Sequence, residues 1–485
     1  MNAIARLIAV LAAFGSVLLS AAPPRTASAV RARIEAVVAS GKVPSMAVAV
    51  GRGDSLLWSG AFGYADKARS IAATPGTPYS IASVTKPFTA TALMVLSERG
   101  QVSLDEPLAR YLGPLRRPGV RDEAEVTLRR MLGHVAGFPL HHQFFYVDRL
   151  LRPLPFAQRM QCFGAEIASP GMRYAYSNLG FGALSEVVSR ISGEPYGAFL
   201  AREVFEPLGL TGASVPESAA DAAPGATRYG TDGQPLPFYV TDHEGASAIY
   251  ASVDDLVRFG LFHAGTLTPS RPVLTAESRA VMQQPGPGGR GLAWSVNPDW
   301  HGRRVIWHSG AMPGSSATLW IVPEEHIAIA LASNQFGAPV NRFAGEILAD
   351  LLEVSLPADG RRGPADEGRA APPLTARPAD VRGRWRGRIG TCPGATEVTL
   401  DVRDRYDIGV TVGAAREQVA HSPNAHEGRV SGAFAGDGDM GPSRFRFDLE
   451  ARGAGLEGPV TRSTGLGSRG NVTVTLWASL ARQEQ

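Results

Sequence analysis

A chain of 485 residues with 44% hydrophobic and 19% charged residues has the balance of a globular protein, and its length calls for two domains, or three. The formal net charge of +3 is small, and basic residues are scattered apart from short Arg-rich pieces such as the one at 382–388. Without a basic stripe to neutralise successive phosphates, no nucleic-acid partner is expected.

The N-terminus reads as a secretory signal. Arg6 supplies a positive flank, Leu7 to Leu19 form an apolar run, and Ala27-Ser28-Ala29 is a cleavage site, with Ala21-Ala22 as an earlier one. The run falls short of the roughly 20 residues that span a bilayer, so an uncleaved anchor is the second reading. No later segment is long and apolar enough to cross a membrane. The expectation is a signal peptide over residues 1–29 and a soluble mature protein, periplasmic or secreted.

Val30 to Ser40 carries Val30, Ile34, Val37 and Val38 at helical spacing. Ser45 to Val50 and Ser55 to Phe62 then read as a hairpin around Gly51-Arg52-Gly53-Asp54. Ser83 to Arg99 has an apolar helical stripe closed by Gly100. Further helices are predicted over Phe181–Ile191, stopped near Gly193; over Tyr196–Phe205, ended by Pro207; and over Asp254–His263, capped by Ser252. Arg304–His308, Ala317–Val322 and Ile327–Ala332 read as adjacent antiparallel strands, and Phe343–Leu352 as a closing helix. Strands at both ends with helices between them predict an α+β domain over residues 30–356: one antiparallel sheet plus an inserted helical cluster.

Residues 357–378 are rich in Pro, Gly, Ala and charge, and read as a linker. Alternation returns at Glu397–Arg403, Asp407–Val412, Ser443–Leu449 and Asn471–Ala478, which predicts a small all-β barrel or sandwich over residues 379–485. Export permits a disulfide between Cys162 and Cys392, the two cysteines of the chain, but the sequence does not say that they meet.

The sharpest chemical signal is Ser83-Val84-Thr85-Lys86. Positions i and i+3 share a helix face, so the amine can reach the hydroxyl and take its proton. The chain has lysine only at Lys42, Lys67 and Lys86 and otherwise uses arginine. Arginine supplies charge but cannot usefully lose its proton, so a lysine kept here points to proton transfer. Tyr176-Ser177-Asn178, if extended, sends Tyr176 and Asn178 to one side; a tyrosine beside an ammonium can act as a base, and an amide can hold the lysine or a substrate carbonyl. His308-Ser309-Gly310 ends a predicted strand. Gly310 allows close approach of backbone, and the N–H of Ala311 can join that of Ser83 in an oxyanion hole. Taken singly, a capping turn and an ordinary strand exit are the better explanations of the last two motifs.

In this order and context the three motifs resemble the serine β-lactamase and penicillin-binding-protein superfamily, within it the class C β-lactamase-like group that includes D-alanyl-D-alanine carboxypeptidases, esterases and D-aminopeptidases. The likeness extends through Tyr79 to Ala90, Glu98 to Pro107, Pro170-Gly171, Ile191-Ser192-Gly193, Glu206 to Leu210, His308 to Gly314 and Ser333-Asn334. The resemblance implies a β-lactamase/transpeptidase-like fold with Ser83 as nucleophile, Lys86 and Tyr176 sharing proton transfer, and Asn178 positioning substrate or Lys86. It also implies that His308 borders the site, that Ser309 and Gly310 contact substrate, and that the Ser83 and Ala311 amides stabilise the oxyanion. It implies no cofactor.

One departure carries consequences. His308 stands where class C β-lactamases usually carry the lysine of Lys-Thr-Gly, and a histidine is mostly neutral near pH 7. That favours an ester or a D-amino-acid amide or peptide as substrate; a class C-type β-lactamase and a catalytically silent scaffold are the alternatives. Gly133-His134-Val135-Ala136-Gly137 also departs from the usual His-Thr-Ser-Gly turn. Gly53-Asp54-Ser55-Leu56 spells another hydrolase tetrad but lacks its late Asp-x-x-His partner. His141-His142 has no metal-ligand spacing around it, so no metal is expected. Phe138 to Phe156 reads as either a wall of the cleft or a packed surface loop.

Overall fold

The computed structural model describes residues 25–355 and 380–483, apart from 121, 223, 391, 393, 427, 439 and 440. The apolar run of the expected signal and the expected linker lie outside the described residues. The first described helix, Arg25–Ala39, starts ahead of the expected cleavage point at Ala29.

A seven-stranded antiparallel sheet organises the first domain. Its strands are β1 (Ser45–Arg52), β2 (Ser55–Asp66), β3 (Ile71–Ala72), β4 (Ser295–Trp300), β5 (Arg303–Met312), β6 (Ser315–Val322) and β7 (Ile327–Ser333), in the spatial order β3-β2-β1-β7-β6-β5-β4. Both ends of the domain build it, since β1 pairs with β7 over Met46↔Ser333 to Arg52↔Ile327. Sequence reading missed β4 because Pro298 and its polar neighbours interrupt the pattern. At the outer edge of a sheet a proline forfeits no ladder hydrogen bond.

The two faces of the sheet differ in side-chain size. Met46, Val48, Val50, Ile327, Ile329 and Leu331 pack under helices Arg25–Ala39 and Val340–Leu351. Ala47, Ala49, Ala328, Ala330 and Ala332 face the helical cluster. Small residues there let the helix Val253–His263 lie close: a Cβ on its Gly260 would stand 2.7 Å from the Ala328 Cβ. Overpacking such a seam, as Ala328→Leu would, costs about 1–3 kcal/mol.

The inserted cluster forms as the apolar stripes predict, with shifted ends. The helix that carries Lys86 spans Thr85–Glu98 behind a 3-10 turn at Ala82–Val84. The next long helix starts at Asn178, capped by the Ser177 hydroxyl, and stops at left-handed Gly193. Ser252 caps Val253–His263 in a reciprocal capping box with Asp255. Pro207 does not end the helix that begins at Tyr196. A π-helical turn over Ala201–Phe205 shifts the hydrogen-bond register, and a last turn, Glu206–Leu208, carries Pro207 before Gly209 closes it.

Beyond residue 380, nine strands make one antiparallel sheet from Gly383–Gly390 to Asn471–Arg482. Gln418, on one edge strand, exchanges paired side-chain hydrogen bonds with the backbone of Ala435, in the strand next to the other edge, so the sheet curls round into a barrel. Cys162 and Cys392 are bonded, tying barrel to helical cluster. The hairpin turn ahead of Asn471 reaches over the first domain. His142 and Thr473 exchange both backbone hydrogen bonds at 2.6 and 2.8 Å, and Arg469 grips Asp148 with two bonds at 2.9 and 2.7 Å. Trp477 lies on Gly119, where any Cβ would fall 2.2 Å from its ring. The stretch Phe138–Phe156 is thus a wall between the domains: its strand Phe144–Tyr146 is buried and pairs with Tyr239–Thr241.

Candidate active site

Ser83 sits half-buried on the 3-10 turn, one residue past Ala82, whose φ of +46° is a left-handed conformation. For a non-glycine residue this costs about 1–2 kcal/mol. The surroundings hold the turn in place: Ile81 N–H donates to Ile249 O at 3.0 Å, and Ser315 Oγ donates to Ser80 O at 2.5 Å. Gly310 of β5 lies directly against the turn. A Cβ there would stand 2.2 Å from Ile81 O and 2.9 Å from Ser83 N, so only glycine allows the strand to meet the Ser83 turn.

Lys86 is fully buried one helical turn on. Its Nζ donates to Ser83 Oγ at 3.1 Å, Asn178 Oδ1 at 2.8 Å and Ala246 O at 3.1 Å. The rings of Tyr176 and Phe181 lie 4.7 and 5.5 Å away. Among the described residues no carboxylate approaches Nζ within salt-bridge distance. Burial without a counter-charge penalises the ammonium, and it pushes the Lys86 pKa well below its usual value. Of the three lysines, Lys42 and Lys67 are exposed; the buried one is the one beside the serine.

Asn178 completes the clamp: its Nδ2 donates to His141 O at 2.9 Å while its backbone N–H donates to Leu140 O at 2.8 Å. Ser177 points the other way, as the extended backbone requires, and its Oγ donates to Pro139 O. The Tyr176 ring stacks on His134 at 4.4 Å and lies 6.4 Å from the His308 ring. Ser83, Lys86, Tyr176, Asn178, His308 and Gly310 therefore share one site.

His308 is buried, and its Nδ1 is 2.8 Å from Ser309 O. A carbonyl only accepts, so Nδ1 carries the proton and Nε2 keeps its lone pair. Burial first, and then the nearby Lys86, push the His308 pKa down to about 3, so it is neutral near pH 7. Ala311 follows Gly310 along the strand and is exposed. Ser309 departs from the expectation that it contacts substrate. Alternation along β5 turns its hydroxyl to the far face, where it donates to Asn341 Oδ1 at 2.7 Å and meets Thr318 Oγ1 at 3.3 Å. Ser55 is an exposed hairpin residue whose hydroxyl donates to Asp54.

Two supports escaped sequence reading. His134 accepts the Ser177 N–H on Nδ1 at 3.1 Å while stacking on Tyr176, so the variant turn Gly133–Gly137 positions the second motif. Asp242 takes hydrogen bonds from His141 Nε2 at 2.9 and 3.0 Å and from His243 Nδ1 at 2.9 Å, all three buried. Their ligand atoms lie within 4.8 Å of one another. This His–Asp–His lock fixes the backbone at His141, which holds Asn178, and the turn leading to Ala246, which holds Lys86. The adjacent pair His141-His142 was the visible signal, but its true partners are distant in sequence.

A serine hydroxyl on a helix start, a desolvated lysine beside it and a strand packed on that turn bring the three motifs into one cleft. The family model described as Beta-lactamase matches residues 30–353, and the chain belongs to that family of serine hydrolases. Penicillin-binding protein 4 of Amycolatopsis lactamdurans is 28% identical over 377 residues, covering 72% of this chain and 94% of that protein. Protein flp of Staphylococcus aureus is 20% identical, over 62% of this chain and 61% of its own length. Among solved structures, the octameric penicillin-binding protein homologue from Pyrococcus abyssi has a TM-score of 0.60 at 21% identity, over 92% of this chain and 99% of that one. A class C β-lactamase from Rhodobacter sphaeroides has a TM-score of 0.57 at 21% identity, over 67% of this chain and 99% of that one. These structural likenesses establish the β-lactamase/transpeptidase fold.

Proposed function

We propose that this protein hydrolyses esters or D-amino-acid amides and peptides through an acyl-enzyme on Ser83. The observation that carries this reading is the Lys86 Nζ, buried, without a counter-charge among the described residues and 3.1 Å from Ser83 Oγ. An amine whose ammonium form is destabilised accepts the serine proton as Oγ attacks the carbonyl carbon. The developing oxyanion lies between the Ser83 and Ala311 N–H groups, which β5 and the 3-10 turn bring together. The proton passes to the leaving alcohol or amine through Lys86 and Tyr176, acting as a coupled pair. Water then attacks the acyl carbon and gives a proton to the same pair; the bond from that carbon to Ser83 Oγ breaks, Oγ takes the proton back, and the acid product leaves.

A neutral His308 supports esters and D-amino-acid amides over β-lactams, because a β-lactam carboxylate finds no permanent cation at that position. Its Nε2 is an acceptor, suited to a substrate N–H. We further propose export to the periplasm or outside the cell, supported by the pattern of residues 1–29 and by a disulfide. The test is a panel of a short aryl ester, a D-Ala-D-Ala peptide and nitrocefin. Ester or peptide turnover at least about tenfold above nitrocefin, reversed in part by His308→Lys, is the expected result. Preferred turnover of nitrocefin makes the protein a β-lactamase, and the absence of any acyl adduct makes it a scaffold.

A further inference from the structure

We propose that a cavity behind the catalytic turn binds a small organic carboxylate through Arg228. The cavity has a volume of about 360 Å³ and is lined by Arg228, Tyr239, Tyr250, Met312, Leu154 and Arg159, among others. Arg228 is 5% exposed, and its guanidinium lies 3.5 Å from the Tyr239 ring centroid and 5.8 Å from that of Tyr250. Nη2 donates to Tyr239 O at 3.1 Å. Among the described residues Nε and Nη1 make no hydrogen bond, and no carboxylate pairs with the side chain.

A buried cation without an anion is costly, and arginine cannot relieve that cost by losing its proton. Stacking on tyrosines recovers part of it. What remains unsatisfied is one side of a planar fork of donors, whose complement is a carboxylate. The aromatic and aliphatic walls would hold an apolar body, and the volume lies near the low end for small-ligand pockets, about 300–1,000 Å³. Exposed Glu217 and Glu244 also line the cavity and disfavour a second negative charge. The ligand class is therefore a monocarboxylate with an aryl or short alkyl group.

The cavity shares two walls with the catalytic cleft. Ser247 and Ala248 follow Ala246, whose carbonyl holds Lys86, and Met312 follows Gly310-Ala311. The turn after Met312 leans on Arg228 itself: a Cβ on Gly314 would lie 2.4 Å from the Arg228 Cβ, and Tyr239 Oη donates to Pro313 O at 2.6 Å. An occupant thus touches both segments that set the nucleophile.

Calorimetric titration of the full-length protein with benzoate, and with neutral benzamide as its isostere, tests the site without requiring turnover. Benzoate should bind at least tenfold more tightly than benzamide, and Arg228→Gln should remove that preference. Leu154→Trp, which fills the cavity and leaves Arg228 in place, should block benzoate and stands alone if Arg228→Gln does not fold. Equal binding of the two ligands, no binding to the folded protein, or unimpaired benzoate binding by Leu154→Trp overturns the proposal. Where ester turnover is measurable, competitive inhibition by benzoate marks a subsite for a substrate carboxylate; altered kcat at constant KM marks a separate effector. Binding without turnover upholds the cavity and counts only against the hydrolase reading.

Discussion

Lys86 and Arg228 are both buried basic side chains without a carboxylate partner among the described residues, yet their surroundings demand opposite behaviour. Lys86 lies among three neutral oxygen atoms, Ser83 Oγ one of them, and desolvation drives it towards the neutral amine. Arg228 is stacked on tyrosine rings and stays charged. One environment makes a proton mobile; the other keeps a charge fixed. In a chain with three lysines, two of them exposed, the choice of lysine at one buried position separates the two chemistries.

The comparison can be broken first at the serine. Ser83→Ala should lower ester turnover by at least about 10³-fold and abolish labelling by a fluorophosphonate, read by intact-protein mass. Lys86→Arg should be nearly as damaging, about 10³-fold, although the charge is kept; turnover near wild type would show that Lys86 supplies charge alone. Asn178→Asp sharpens the contrast by placing a carboxylate on the ammonium. It should raise the Lys86 pKa, lower the rate at pH 7 by about 10–100-fold and restore it as pH rises, visible in the pH–rate profile. Burial pushes His142, His263 and His308 down to about 3 and His243 to about 4. The unfolded chain takes up these protons near pH 6.5 while the folded one does not, so the urea midpoint should fall steadily from about pH 7 towards pH 4. Cys392→Ser should have the smallest effect on catalysis: a Tm lower by several degrees with turnover retained, because Trp477 and Arg469 still seat the barrel.

What the sequence made legible was local. Ser83 and Lys86 are three residues apart on one helix, so the motif itself encodes their 3.1 Å contact. Strands β1, β6 and β7 are buried on both faces and read as apolar runs. Beyond the sheet built from both ends of the domain and the grouping of the three motifs, long-range pairings stayed hidden. Nothing at Asp242 announces His141, 101 residues away, and nothing at His134 announces the stacking with Tyr176. Ser309 was misplaced because motif adjacency was read without strand alternation. In the barrel, Gly383–Gly390 and Gly455–Gly465 went unread because glycines and arginines dilute the alternation.

The most direct test is the pH dependence of Ser83 acylation by an aryl ester, measured by stopped flow in the wild type and Lys86→Arg, with the adduct located by peptide mass. A single adduct on Ser83, formed with an apparent pKa far below that of free lysine and lost in Lys86→Arg, is the predicted result. An adduct on another residue, or an unchanged acylation profile in Lys86→Arg, contradicts it.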